Sequence, residues 1–365
     1  MTAPLFRCLE GVRVVDLSRY LPGPLATLWL ADFGADVIKV EPPGGEGMRA
    51  LGPRGTDGQG LWHAALNANK RLVELDLGSA DGRSALLDLL SAADVLVESF
   101  RPGVLERIGL PPDRLRERYP RLVIASLSGY GQQGPLRDAA GHDDNYLAQA
   151  GFLAGVGPAP GQPTLVWPPL ADSLGSMFAL SAILGALLAR ERDGVGGQGC
   201  HIDLALADVA LPMQVFPLSE LGSVHAPAAR GEGLLGGGWA CYGLYTAACG
   251  REFALGAVEA KFWSAFCHAA ERPDWVERQR DPVPQHALRA EVAAWFARHT
   301  ARQLATRFDG VDCCLSPVLS LEEAVHSEHA SARQLVRPAH ASGGHEAAFP
   351  VRVDGQPPAP RRARA

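Results

Sequence analysis

The segment AAGHDDNYLAQAG at residues 139–151 sets a histidine, two aspartates and an asparagine side by side, ahead of an apolar run. Imidazole titrates near neutrality, so His142 has the chemistry of a general base. The same residues also spell a helix start. Asp143 and Asp144 suit the positive end of a helix dipole, and a lone histidine in a polar turn is commonly only a surface residue. A second acid, Asp172, follows WPPLA and leads a long apolar helix. Taken alone, it is an N-cap, although partial burial there would raise its pKa. Glu259, taken alone, is an acid at the start of another helix, where the dipole favours it.

Three loops carry cations beside glycine or proline: PPGGEGMR (42–49), NANKR (67–71) and ESFRPGVLER (98–107). Arg49, Lys70, Arg101 and Arg107 are their candidate anion ligands. Guanidinium and backbone amides suit phosphate, and parallel sheets bind ligands beyond the carboxyl ends of their strands. Each loop alone reads as solvated charge; three in succession point to one anionic ligand. No GxGxxG follows the first strand and no GxxxxGK[ST] occurs. The standard modes of binding a nicotinamide cofactor or a nucleoside triphosphate are therefore not expected. Cysteine and histidine spacings give no zinc pattern, so no metal site is expected. His201 and Asp203 alternate on a strand and read as structural. Trp239, Tyr242 and Tyr245 read as hairpin packing.

The elements that must position these groups follow from periodicity. VRVVDL (12–17) reads as a buried strand, SRYLPGP as a turn, LATLWLADFGA as a helix and ADVIKVE (35–41) as the next strand. Strand, helix and strand within so few residues make a right-handed crossover onto a parallel sheet. The pattern recurs with strands at 72–77, 94–98 and 121–127 and helices at 81–92 and 113–119. A long helix is expected at 172–192, then a strand running into a helix at 201–211. After the glycine-rich stretch at 231–238 the pattern changes to a hairpin turning at Cys249–Arg251, with helices at 259–270 and 285–299. The expected fold class is α/β, a doubly wound parallel-sheet large domain with a smaller α+β domain.

The chain has 365 residues, 47% apolar and 20% charged, with a net charge of −6. That balance does not favour a nucleic-acid or anionic-membrane partner. The seven cysteines, with Cys313 and Cys314 expected as buried thiols, suggest a reducing, cytoplasmic setting. The N-terminus lacks a signal-peptide core, and the apolar run Ser176–Ala189 is too short to span a bilayer. The Pro- and Arg-rich tail from Asp354 is expected to fray.

In order along the chain stand GVRVVDLSRYLPGPLATLWLADFGADVIKVEPPGGE, LNANKRLVELDL, ADVLVESFRPGVLERIGL, SLSGYGQQGPLRDAAGHDDNY and PPLADSLGSMFALSAILGALLAR. Together these resemble the family III coenzyme A transferase superfamily, which includes α-methylacyl-CoA racemases, over about residues 8–330. GHDDNY resembles the racemase signature GHDxNY, and GAVEAKFW (256–263) resembles a racemase segment whose glutamate belongs to the active site. The resemblance implies His142, Asp172 and Glu259 as catalytic residues. It implies coenzyme A contacts at Leu75, Asp76, Leu77, Gly78, Ser99 and Arg107, and along Gly141, His142, Asp143, Asp144, Asn145 and Tyr146. Racemases often carry an arginine after the acid that ends the second strand. Pro42 stands there, which moves that anchor towards Arg49. The residues after Asp172 read SLGS instead of the usual glycine run.

The implied activity is epimerisation of a 2-methylacyl-CoA thioester through an enolate, with a base on each face. Asp172 serves one face, and Glu259 orients the imidazole of His142 on the other. The implied alternatives are coenzyme A transfer through a covalent Asp172 intermediate and a degenerate acyl-CoA-binding member. No tightly bound cofactor is implied, since coenzyme A arrives as part of the substrate. The implied assembly is an interlocked homodimer with the site between the large domain of one chain and the small domain of the other, which leaves open which chain's Glu259 serves each His142. The implied division is a large domain at 1–220, a small domain at 221–316, and a return to the large domain with the tail at 317–365.

Overall fold

Short runs of valine, isoleucine and leucine build the central sheet, because β-branched side chains suit a pleated surface buried on both faces. A computed structural model describes residues 3–158, 161–192, 197–223, 227–339 and 344–362. The chain divides into two units: residues 1–150, 166–213 and 325–365 form the first, and 151–165 with 214–324 the second.

In the first unit, β1 (Arg13–Asp16), α1 (Pro22–Asp32), β2 (Asp36–Glu41), α2 (Leu61–Leu66) and β3 (Arg71–Glu74) form one half of the fold. Next come α3 (Ala80–Leu90), β4 (Val95–Glu98), α4 (Val104–Arg107), α5 (Pro112–Arg118) and β5 (Val123–Ser128). The six-stranded sheet runs β3-β2-β1-β4-β5-β6. Every neighbour is parallel, with Val14 opposite Val37 on one side and Val95 on the other. The chain first winds outward from β1 to β3 and then returns to β1's other edge with β4. The order therefore reverses between β1 and β4, where doubly wound sheets open a crevice for ligands. Val15, Ile38, Leu86, Leu90, Leu96 and Ile124 belong to one buried apolar cluster beside this sheet.

α6 (Asp143–Gln149) follows β5. After a short helix of the second unit, α7 (Phe152–Gly155), the long α8 (Leu170–Arg190) returns to the first. It has the 21 residues of the helix expected at 172–192, placed two residues earlier. By length and composition alone its 21 residues could cross a membrane. Its buried residues, among them Ala171, Gly175, Ala179 and Ile183, recur at helical spacing, and the helix packs on α1 and β5. The expected strand running into a helix is β6 (His201–Ala205) followed by α9 (Leu206–Ala210).

In the second unit, α10 (Val215–Glu220) precedes the hairpin β7 (Tyr242–Thr246) and β8 (Glu252–Gly256). Gly250, at φ +82°, turns that hairpin. α11 (Ala260–Ala269), α12 (His286–Phe296) and α13 (Ala301–Arg307) follow, and β9 (Leu315–Pro317) completes a three-stranded antiparallel sheet. Trp263, Phe266, Trp275, Trp295 and Phe296 fill this core. α14 (Leu321–Val325) leads to α15 (Glu328–Arg333) and the strand pair β10 (Val336–Pro338) and β11 (His345–Ala347) of the first unit.

As far as Arg362 the tail is tied to the first unit, unlike the frayed end its composition suggested. Arg361 is buried and pairs with Asp32 at 2.6 Å, and the amide of Asn69 donates to the carbonyl of Arg362. Cys314 is also unlike the expectation: it is exposed, with φ +54°, while Cys313 is buried.

Candidate active site

A cleft of about 720 Å³ opens at the reversal point, a volume typical of small-molecule sites. Its walls come from the loops after β1 (Arg19, Tyr20), β4 (Ser99, Arg101) and β5 (Arg137, Gly141, His142) and from Tyr146 and Asp172. The loops after β1 and β4 are tied where the amide of Arg19 donates to Ser99 Oγ at 2.8 Å. Tyr20 is held at φ +63°, a conformation that side chains other than glycine seldom adopt.

A buried charge network braces that turn. Lys39 Nζ donates to the carbonyl of Ser18, and the amide of Tyr20 donates to Glu46 at 3.2 Å. Asp16 lies 3.8 Å from Lys39 and 3.1 Å from Lys70, and all three side chains are fully buried. Burial opposes the charge on Asp16, yet Lys39, Lys70 and hydrogen bonds from Ser18 and Thr27 hold its pKa at about 2. Lys70 therefore does not face a phosphate as its loop suggested. It bonds Asp16, Thr27, Asn67 and the carbonyl of Pro24. Burial lowers its pKa to about 8 against the opposing pull of Asp16.

His142 is the N-cap residue of α6; its amide donates to the Asn145 side chain at 2.9 Å and its ring end is exposed. The expected helix start is real. Tyr146 donates to the carbonyl of Gly141 and packs edge-on against Tyr130. A Cβ on Gly141 would stand 2.7 Å from Tyr146 and 2.9 Å from the Tyr130 hydroxyl, so only glycine fits before His142. Asp172 is the third residue of α8, not the N-cap the sequence suggested. Burial, then the nearby charge of Asp143, raises its pKa to about 7.

The structure thus brings Ser99, Arg101, Gly141, His142, Asn145, Tyr146 and Asp172 into one cleft. Asp143 is buried behind it, and Arg107 and Asp144 are not among its walls. Leu75–Gly78 form the turn after β3, where the amide of Leu75 donates to the carbonyl of Glu41. Arg49 lines a separate pocket of about 390 Å³ with Arg54 and His63. Its Nε donates to Glu41 at 2.6 Å. Glu259 is exposed at the N-cap of α11, in the second unit.

Sequence reasoning missed Arg19, Tyr20 and Arg137. Arg19 and Tyr20 sit in a segment read only as a turn, although its place after β1 was the available signal. Arg137, five residues before His142, lies inside the stretch SLSGYGQQGPLRDAAGHDDNY, of which only the GHDDNY end was read for function. The carboxylates Glu41 and Glu46 with His63 offer atoms within 4.8 Å of one another, as a metal site would. Their charge is already met by Arg49 on Glu41 and by Lys39, 3.9 Å from Glu46. Burial opposes ionisation of Glu41, but hydrogen bonds from His63 and Arg49 hold its pKa at about 2.

Residues 9–364 match the pattern of CoA-transferase family III. The chain belongs to that family. It is 36% identical over 324 residues to the human α-methylacyl-CoA racemase, covering 88% of this chain and 80% of the relative. It is 32% identical over 343 residues to the succinyl-CoA–D-citramalate CoA-transferase of Chloroflexus aurantiacus, covering 92% and 84%. The crystal structure of Rv3272 from Mycobacterium tuberculosis superposes with a TM-score of 0.81 at 29% identity, covering 98% of this chain and 97% of that one. The family III protein is an enzyme whose relatives include both a racemase and CoA-transferases.

Proposed function

We propose that this family III enzyme is an isomerase resembling α-methylacyl-CoA racemase, which inverts the α-carbon of a 2-methylacyl-CoA thioester. The observation that carries this reading is a cleft holding both an exposed imidazole and a carboxyl poised near neutrality. A base works best with a pKa near the working pH. A carboxyl half protonated at pH 7 is suited to giving and taking protons and is a weaker nucleophile than a fully ionised one.

In this reading the α-C–H bond breaks as one group, Asp172 or His142, takes the proton. The electron pair moves into the thioester carbonyl, and the amides at the start of α6 receive the enolate oxygen. The other group then delivers a proton to the opposite face. Arg19, Arg101 and Arg137 give the cleft the positive charge that coenzyme A phosphates require. Arg49, oriented by Glu41, supplies a cation in place of the one absent at Pro42. Glu259 completes the site in a homodimer. Exposed Trp167, at 78%, and Phe216, at 68%, support such an assembly; a monomeric mass by light scattering counts against it.

The deciding experiment incubates the protein with 2-methylacyl-CoA thioesters in deuterated water, with and without free carboxylic acids. Deuterium enters the α-carbon without an acceptor acid, and His142→Ala lowers inversion of that carbon at least about a hundredfold. Near-wild-type inversion in His142→Ala overturns the reading. Acyl exchange that requires a free acid, with Asp172 trapped by hydroxylamine, replaces it with CoA transfer.

A further inference from the structure

The carboxylate of Asp143 leaves its own helix. Oδ1 accepts the amide of Asp172 at 2.8 Å, and Oδ2 accepts that of Leu170 at 3.1 Å. The first amides of an α-helix have no partners within the helix. The residue preceding α8 is Pro169, and no side chain there caps the helix. Asp143, 29 positions away, satisfies those amides as an N-cap aspartate does locally. It is 9% exposed, while its neighbour His142 stands exposed in the cleft wall that Asp172 shares.

We propose that Asp143 is a positioning residue that clamps the first turn of α8 to the start of α6, holding the Asp172 carboxyl in fixed relation to the His142 imidazole. One peptide bond separates His142 from the clamp, and Asp172 supplies one of the clamped amides. The backbone that carries either group cannot then shift without breaking a charge-assisted hydrogen bond. Misplacement by a fraction of a bond length is costly in proton transfer, so the clamp acts on turnover more than on substrate affinity.

The clamp also sets the electrostatics of Asp172. Burial and the like charge of Asp143 both disfavour its ionised form, and the Tyr146 phenol, on which Asp172 acts in turn, and the His142 imidazole share its cleft. Tyr130 and Arg101 act on Tyr146, and Asp144 acts on Asp143. Burial raises the Asp143 pKa too, while the amides of Asp172 and Leu170 oppose that rise. Removing the Asp143 charge therefore eases ionisation of Asp172 and moves its titration down in pH.

The test uses the whole chain with Asp143→Asn, which keeps the shape and one acceptor oxygen, and Asp143→Ala, which removes the clamp. Carbodiimide coupling of an amine to Asp172, read by peptide mass against pH, reports protonation of that carboxyl without any substrate. The midpoint falls by roughly one pH unit in Asp143→Asn. Deuterium exchange at the α-carbon rests on the reading proposed above. There, kcat falls at least about tenfold in Asp143→Ala with KM within about twofold, and Asp143→Asn carries the acid limb of its pH profile to lower pH. Wild-type exchange with an unchanged midpoint and kcat in both variants overturns the clamp and leaves the reading standing. A shifted midpoint in a protein that shows no exchange upholds the clamp and overturns the reading.

Discussion

Asp16 is fully buried and Asp172 partly buried near the mouth of one sheet, and their surroundings drive them in opposite directions. Asp16 has Lys39 and Lys70 beside it and accepts hydrogen bonds from Ser18 and Thr27, which hold it ionised down to about pH 2. Asp172 has no cation among the causes of its shift, only burial and a second carboxylate, and it rests at about 7. Burial costs the charged form in both places; the difference is whether the fold supplies a counter-charge. Where it does, the acid is a structural pin that holds the left-handed turn at Tyr20. Where it does not, the acid can exchange a proton at neutral pH.

Lys70→Met breaks the comparison hardest, because it leaves Asp16 buried with one cation fewer. A loss of about 3–5 kcal/mol in urea unfolding is expected, since Asp16 keeps its desolvation cost while only Lys39, at 3.8 Å, is left to offset it. Little change would mean that Asp16 takes up a proton or that water reaches it.

Glu98 offers the next largest contrast, at the end of β4 directly before Ser99. Burial raises its pKa to about 7, against hydrogen bonds from Ser126 and the amide of Phe100. Its folded pKa lies above its unfolded value. The stability it contributes is therefore fully present below about pH 4.5 and is lost as the pH rises through about 7. Glu98→Gln should gain about 3 kcal/mol over wild type at pH 8 and nothing at pH 4, measured as the difference in unfolding midpoints.

The smallest effect sharpens the comparison by its sign. Asp172→Asn at pH 8 removes a charge that burial and Asp143 both disfavour. Because Asp172 is only partly buried and lines an open cleft, solvent screening leaves a gain smaller than at Glu98, so stability should match or exceed wild type by up to about 1 kcal/mol, while inversion of the α-carbon is lost. A clear destabilisation would show that the Asp172 carboxylate has a stabilising partner.

The sheet was legible because its signals are local. Alternating strand and helix periods place β1 to β6, and the parallel order follows from crossover lengths and handedness. Within the site, His142 and Asp172 were legible through the ordered motifs around GHDDNY and PPLADS, as Arg101 was through its place after a strand. Lys70 misled because NANKR has the composition of a phosphate loop; only the fold turns its side chain inward to Asp16. Arg361 misled in the same way, since a Pro- and Arg-rich tail reads as solvated until Asp32 is brought to it.

By itself the sequence determined the element order, the family and the residue types available for proton transfer, all of which depend on neighbours in the chain. The tertiary structure alone decided which acids remain charged. Desolvation and counter-charge come from groups far apart in sequence, such as Lys70 against Asp16 and Asp143 against the first amides of α8, and no local pattern encodes their meeting.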